Sequence, residues 1–184
     1  DAVIFTLGSD GQGRIGARAI DYGGVRNIIN LLGNKPIHIA LMTAIGVTDR
    51  QGEYNRQTEA HDWKRRSERL VRASGHPYSI FRPGWFDYNK KNEHKIVMLQ
   101  GDTRHTGTPA DGVISRRQIA RTLVCALTNA AAKNKTFELV AEYGDEQPDL
   151  TPVFKTLRTD IPNHIDGILD ADNMPLSSEP ADVI

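Results

Sequence analysis

Ala2-Val3-Ile4-Phe5-Thr6-Leu7, closed by Gly8-Ser9, is the stretch whose reading decides the fold. A continuous apolar run stopped by Gly-Ser has the pattern of a strand buried on both faces. A polar, Gly-rich loop over 8–20 follows, and then a helix from Asp21 to Leu32. Val25, Ile28, Ile29 and Leu32 share one face of that helix, and Gly33 stands where a C-terminal cap needs positive φ. The next strand is Ile37–Thr43. A long polar loop, 44–57, leads to a helix over 58–73 that stops near Gly75. Tyr78–Phe81 is a short strand ended by a turn at Arg82-Pro83-Gly84, and Lys95–Leu99 is another strand. Ser115 and Gln118 form a capping box that opens a helix carrying Ile119, Leu123 and Leu127. Thr136–Val140 is the last strand. Thr151, as an N-cap before Pro152, starts a short helix through Leu157.

Strands alternating with helices specify an α/β fold, a parallel sheet with helices on both faces. Ligands bind beyond the carboxyl ends of such strands. Four places qualify: Leu7 to Ser9, Met42 to Ala44, Arg82 to Phe86, and the loop before Ser115.

Composition supports a folded core. Leu, Ile, Val and Phe number 44 of 184 residues, above the level of disordered chains. The single Cys excludes a disulfide framework and a Cys-based zinc site. No apolar run approaches the roughly 18 residues of a membrane span and no signal peptide opens the chain, so a cytoplasmic protein that binds no membrane is expected. The chain starts inside a strand at Asp1, and upstream sequence is expected to be missing. The zero net charge conceals an asymmetry. Residues 1–144 hold 21 basic and 14 acidic side chains, and residues 145–184 hold 2 and 9. An acidic C-terminal arm lying across a basic domain is the simplest consequence, and screening of an anionic ligand is the sharper one.

Gly11-Gln12-Gly13-Arg14-Ile15-Gly16 matches G-x-G-x-x-G but is read as a mobile loop rather than a phosphate cradle. Three residues separate it from the strand, and Asp10 would set a negative charge beside the phosphates. Its helix would last only to Ile20 before Gly23-Gly24, and each internal Gly costs about 1 kcal/mol. The following strand ends without the acid that holds a ribose hydroxyl.

Several segments, in order, resemble the later portion of an atypical short-chain dehydrogenase/reductase of the NmrA-like, NAD(P)-binding kind. They are Asp1–Phe5 with Gly8-Ser9, Asp21-Tyr22-Gly23-Gly24, Ile39–Gly46, Tyr78–Gly84, and Gly112–Arg116 with Ile119-Ala120. The resemblance covers roughly residues 1–143. It implies a Rossmann-like domain over 1–144 that lacks the first βα units and their phosphate loop, followed by a short helix and an acidic irregular arm over 145–184. The family pairs Tyr and Lys as Y-x-x-x-K. Lys64 looks like that lysine, but Ala60 stands at the tyrosine, and Thr43-Ala44 replaces the usual serine pair.

The resemblance makes Lys64 and Thr43 the catalytic candidates. The cofactor-binding candidates are Leu7, Gly8, Ser9, Met42, Lys64, Pro83, Gly84, Trp85 and Phe86, with Trp85 and Phe86 as an apolar wall beside the nicotinamide. Each has a plainer reading. Lys64 could be a solvated helix lysine paired with Glu68, Thr43 an ordinary strand-end residue, and the two aromatics packing under a loop. His61, three before Lys64, is either a surface histidine or a substitute acid. Arg65, Arg69 and Arg72, with Arg66, make a basic stripe, read as a solvated face or a dock for the acidic arm. Without interleaved aromatics, nucleic acid is not the partner. Cys125 reads as a small core residue, and the six histidines show no metal-ligand spacing.

The expected function is an NAD(P)-dependent oxidoreductase acting on a small carbonyl or quinone-like substrate. The alternative is a non-catalytic NAD(P)-binding redox sensor or regulatory module. The cofactor is NADP or NAD. A missing phosphate loop would cost two or more hydrogen bonds of about 1.5–3 kcal/mol each, so this chain alone is expected to bind weakly, by about 10²–10⁴-fold. A sheet edge left open by missing strands also invites a homodimer.

Overall fold

The computed structural model describes residues 1–183. Four strands run parallel in the order β1 (Ala2–Phe5), β2 (His38–Met42), β3 (Tyr78–Pro83) and β7 (Lys135–Glu142). β5 (Lys95–Leu99) pairs antiparallel with β7. Short strands β4 (Trp85–Phe86) and β6 (Val113–Ile114) extend the sheet past the end of β3. The expected α/β architecture is present, with helices on both faces.

Alternation along the strands sorts two cores. Phe5, Ile39, Leu41 and Ile80 face α2 (Gly23–Leu32) and α4 (Ala60–Ala73), where Val25, Ile29 and Val71 meet them. Ala40, Phe81, Phe137 and Leu139 face the opposite way, onto α5 (Arg116–Thr128) and α6 (Thr151–Thr156). Phe137 lies edge-on to both Phe81 and Phe154, with ring centroids 4.8 and 5.9 Å apart. Each such fully buried side chain contributes about 1.5–3 kcal/mol. Cys125 packs half-buried against this second core.

Several local expectations are corrected. β1 is not buried on both faces: it is a margin strand paired only with β2, and Ile4 and Leu7 are exposed while Phe5 is covered by α2. The segment 8–20 is loop only as far as Gln12. From Gly13 the chain is helical without a break, through α1 (Gly13–Gly16), a π-helical stretch Ala17–Tyr22, and α2. Gly23 and Gly24 do not end it. A Cβ on Gly24 would stand 2.7 Å from Leu7 Cδ1, so that glycine serves close packing. The polar loop after β2 yields a further helix, α3 (Glu53–Thr58), which Glu59 at φ 54° separates from α4. β3 runs on through Arg82 and Pro83, and Gly84 is no turn. Its N–H donates to Leu139 O, and a Cβ there would meet Gly112 O at 2.4 Å. In α6 the N-cap is Leu150 rather than Thr151, whose N–H is taken by the Asp149 carboxylate. The Ser115–Gln118 capping box is present as expected.

The acidic arm does lie on the basic stripe. Asp166 accepts from Arg65 Nε (3.2 Å) and from Arg69 Nε and Nη2 (2.8 and 2.7 Å). Glu179 accepts from Arg66 Nε and Nη2 at 2.8 and 3.1 Å. Arg65 is fully buried and Arg72 nearly so. Buried charges are tolerated only when paired in this way.

Candidate functional site

The face of the sheet that meets α4 is apolar along its length and turns polar at its carboxyl end. Ile39 and Leu41 are followed on that face by Thr43, Ile80 by Arg82, and Thr136 by Glu138. Arg82, with no exposure, is the hub. It donates to Glu68 through Nε and Nη2 (3.0 and 2.6 Å) and to Asp170 of the arm through Nη1 and Nη2 (2.7 Å each). Burial drives the Glu68 and Asp170 carboxyls upward, but Arg82 and Arg72 outweigh it and hold both below the usual carboxylate range. Glu138 is 3.6 Å from Arg82, and its Oε1 has no hydrogen-bond partner. Burial, with Asp102 and Asp170 nearby, pushes its carboxyl up to about 8 in spite of that arginine.

Toward the margin strand stands a second, more open group. Ser9, just past β1, donates through Oγ to Asp21 Oδ2 at 2.9 Å. Lys64 Nζ donates to Asp21 Oδ1 at 2.6 Å. Ser67 Oγ donates to the Asp21 carbonyl, fixing the π-helical stretch against α4. An ammonium has three N–H groups; among the described residues Lys64 spends one. The expected Lys64–Glu68 pair is therefore absent: Glu68 belongs to Arg82 and Arg72, and Lys64 to Asp21.

Thr43 lies buried beyond β2 and donates through Oγ1 to Glu68 Oε1 at 2.7 Å, with Phe81 O the second acceptor in range at 3.3 Å. An ionised carboxylate can only accept. The hydroxyl proton is thus committed inside the protein, and Thr43 has only lone pairs left to offer. The loop after it is closed by Asp102, whose carboxylate accepts from the N–H groups of Gly46 and Thr48, both at 2.7 Å.

His61 is half-buried rather than a plain surface histidine. Its ring meets Tyr54 edge-on at 5.1 Å, and its Cε1 lies 3.5 Å from where a Cβ on Gly46 would stand. The remaining candidates divide. Gly8 has open space where a Cβ would stand, and Leu7 packs on Gly24. Met42, half-buried, points to the α5 face with Phe86, while Pro83 and Gly84 are buried. Trp85 is 38% exposed and stands edge-on to Tyr88. Phe86 lies beneath the Arg116 guanidinium, 5.1 Å away. The structure therefore joins Ser9 to Lys64 through Asp21, sets Thr43 one helical turn along through Glu68, and ties the two aromatics to β6 and α5 instead.

A cavity of about 370 Å³ borders Cys125, Asn129 and Leu150, and another of about 580 Å³ borders Arg69 and the arm, Asp170 included.

Sequence reasoning misses Asp21, Glu68, Arg82 and Asp102 as organisers of this end of the sheet. Only Arg82 carries a signal, a charged residue directly after an apolar strand run; the others are ordinary acids until their partners are known.

Among the described residues, those at the β1 and β2 tips fit the ribose and nicotinamide portion of a dinucleotide. Lys64 keeps two N–H groups beyond its bond to Asp21, and Gly8 has open space where a Cβ would stand.

A family model described as NAD(P)H-binding matches residues 1–130. The chain is 27% identical over 147 residues to "Sanguinarine reductase" of Eschscholzia californica, covering 76% of this chain and 53% of that protein. It is 32% identical over 136 residues to "Protein TIC 62, chloroplastic" of Oryza sativa subsp. japonica, covering 69% and 26%. The chain thus spans about half the length of the first relative and less of the second. Among solved structures, "Putative NAD-dependent epimerase/dehydratase from Bacillus halodurans" superposes with a TM-score of 0.66 at 23% identity, over 85% of this chain and 70% of that one. A short-chain dehydrogenase/reductase from Veillonella parvula, solved in complex with NADP, superposes at 0.50 and 15% identity, over 70% and 64%. These two show the fold. With a family model matched over most of its length, the chain belongs to the NAD(P)H-binding family.

Proposed function

We propose that this chain supplies the nicotinamide and ribose side of an NAD(P)H-dependent reductase acting on a small carbonyl or quinone-like compound. The observation that carries the reading is the Ser9–Asp21–Lys64 chain at the strand tips, which aims an ammonium with two unspent N–H groups past the carboxyl ends of β1 and β2. In that role Lys64 donates to the ribose hydroxyls. Asp21 and Ser9 hold the lysine in place, and Leu7 and Gly8 form the floor beside it. Thr43 accepts from the carboxamide nitrogen of the nicotinamide. Met42, Pro83 and Gly84 shape the wall that carries Trp85 and Phe86. When bound, the reduced cofactor supplies the hydride, and the protein orients it and excludes water.

Ala60 at the family's tyrosine position, with the Thr43 proton committed to Glu68, favours a second reading, a dinucleotide-binding sensor without turnover. Both readings place the protein with a dinucleotide partner, as a homodimer using the β1 margin. A monomeric mass by light scattering at high concentration would count against that dimer.

Tryptophan fluorescence tests the site. Trp63 is buried and Trp85 half-open, so Trp85→Phe assigns the signal. NADPH, NADH and reduced nicotinamide mononucleotide are titrated in turn. Saturable quenching that Lys64→Ala weakens at least tenfold supports the proposal, and its absence with all three removes both readings. Quenching without oxidation of NADPH by a carbonyl and quinone panel selects the sensor.

A further inference from the structure

The family tyrosine has no counterpart at Ala60, which is buried and carries no ionisable hydrogen. The next residue along α4 is His61, three before Lys64 and so on a neighbouring part of the same helix face. Resting on the reductase reading above, we propose that His61 is the proton donor of this site, delivering its imidazolium proton to the substrate oxygen as the carbonyl carbon is reduced.

Four features of His61 support the role. The ring sits beyond the carboxyl end of β2, laid over Gly46, whose φ of +83° and missing side chain let it approach. Tyr54 braces it edge-on, at an interplanar angle of 61°. Among the described residues neither ring nitrogen makes a hydrogen bond, and the residue is half-buried rather than sealed in the core. The contrast is His38, whose ring is held by Ser79 and whose Nδ1 is buried without a partner. A braced ring whose two nitrogens have no partner within the protein is preorganised to exchange a proton with a ligand.

Electrostatics agree. The charged groups around the ring are Lys64 and Asp62 on α4, Asp49 in the loop after β2, and Asp102 after β5, with Tyr54 of α3 as its uncharged brace. Burial and the Lys64 charge hold the imidazole below its ordinary value against the three carboxylates, which makes its protonated form a stronger acid. The step balances simply. Hydride adds to the carbonyl carbon, the C=O π pair moves to oxygen, and that oxygen takes the proton from a ring nitrogen. Neutral imidazole then recovers a proton from water.

The test uses NADPH with phenanthrenequinone as the carbonyl probe. His61→Gln is expected to cut turnover about 10²-fold, to leave Trp85 quenching by NADPH unchanged, and to abolish the fall in rate as pH rises through the imidazole's own titration. Added imidazole should restore rate to His61→Ala. Proton NMR of the ring in the unliganded protein should show it titrating below its ordinary 6.5, and upward from there in Lys64→Ala. Full turnover in His61→Gln, or a ring that titrates at or above the ordinary value, overturns the acid role and leaves dinucleotide binding standing. A wild-type chain that binds no dinucleotide overturns the reductase reading and this role together.

Discussion

Helix α4 serves two regions that treat charge in opposite ways. Its later turns carry Arg65, Arg66, Arg69 and Arg72 into an interior where each guanidinium donates to at least one carboxylate or carbonyl of the arm. Its first turns carry His61 and Lys64, whose polar atoms are only partly satisfied and reach solvent. The difference separates structure from chemistry within one element: guanidinium charges buried against carboxylates hold the fold, and groups with donors to spare near solvent are available to a ligand.

The sharpest way to break that contrast is at the hub. Arg82→Met should leave Glu68 and Asp170 buried with Arg72 the main cation left nearby and cost about 3–5 kcal/mol in chemical denaturation. A loss under about 1 kcal/mol would mean that the sealed region is not a structural unit. Glu179→Gln removes the charge that faces Arg66, which also stacks on Trp63 at 4.3 Å. The expected loss is about 1.5–3 kcal/mol, with the arm becoming sensitive to limited proteolysis first.

Glu138 sharpens the comparison through pH. Its carboxyl is raised from 4.5 to about 8 in the folded protein. Between those values the folded state holds a proton that the unfolded state has released. Stability should therefore fall as pH rises from about 5 to about 8, with a slope of at most about 1.4 kcal/mol for each tenfold drop in proton concentration. Glu138→Gln, a mimic of the protonated form, should flatten that slope and gain about 1–2 kcal/mol at the upper end. Asp170 has the opposite sign. Arg82 holds it well below its unfolded value, so its contribution is present above about pH 4 and fades only in stronger acid. Acid melts at mild pH that released the arm would contradict this.

The smallest effect belongs to the open turn. His61→Gln should change stability by no more than about 1 kcal/mol, because the ring makes no hydrogen bond to lose. A larger loss would place His61 with the sealed arginines rather than with Lys64.

How much of this is legible in the sequence follows from what kind of interaction decides each part. The strands and helices of the sheet are local, and apolar runs, Gly33 and the Ser115–Gln118 box announce them. The helix over 13–32 is hidden because Gly23-Gly24 looks like a break, when Gly24 in fact admits Leu7. Arm docking can be anticipated from the charge asymmetry, but not its register. Contacts such as Arg65 with Asp166 span about a hundred residues and carry no periodic signal. Of the site, Lys64, Ser9 and Thr43 emerge through resemblance and strand-end position. Asp21, which joins two of them, is invisible until the π-helical stretch sets it between β1 and α4.

The direct measurement is an amide and side-chain NMR map of the chain during titration with NADP⁺. The strand-tip account requires saturable shifts at Gly8, Ser9, Lys64 and the Trp85 indole, with the arm signals of Ile165 and Gly167 unmoved. Shifts gathered on the arm, or none at any of these positions, would contradict it.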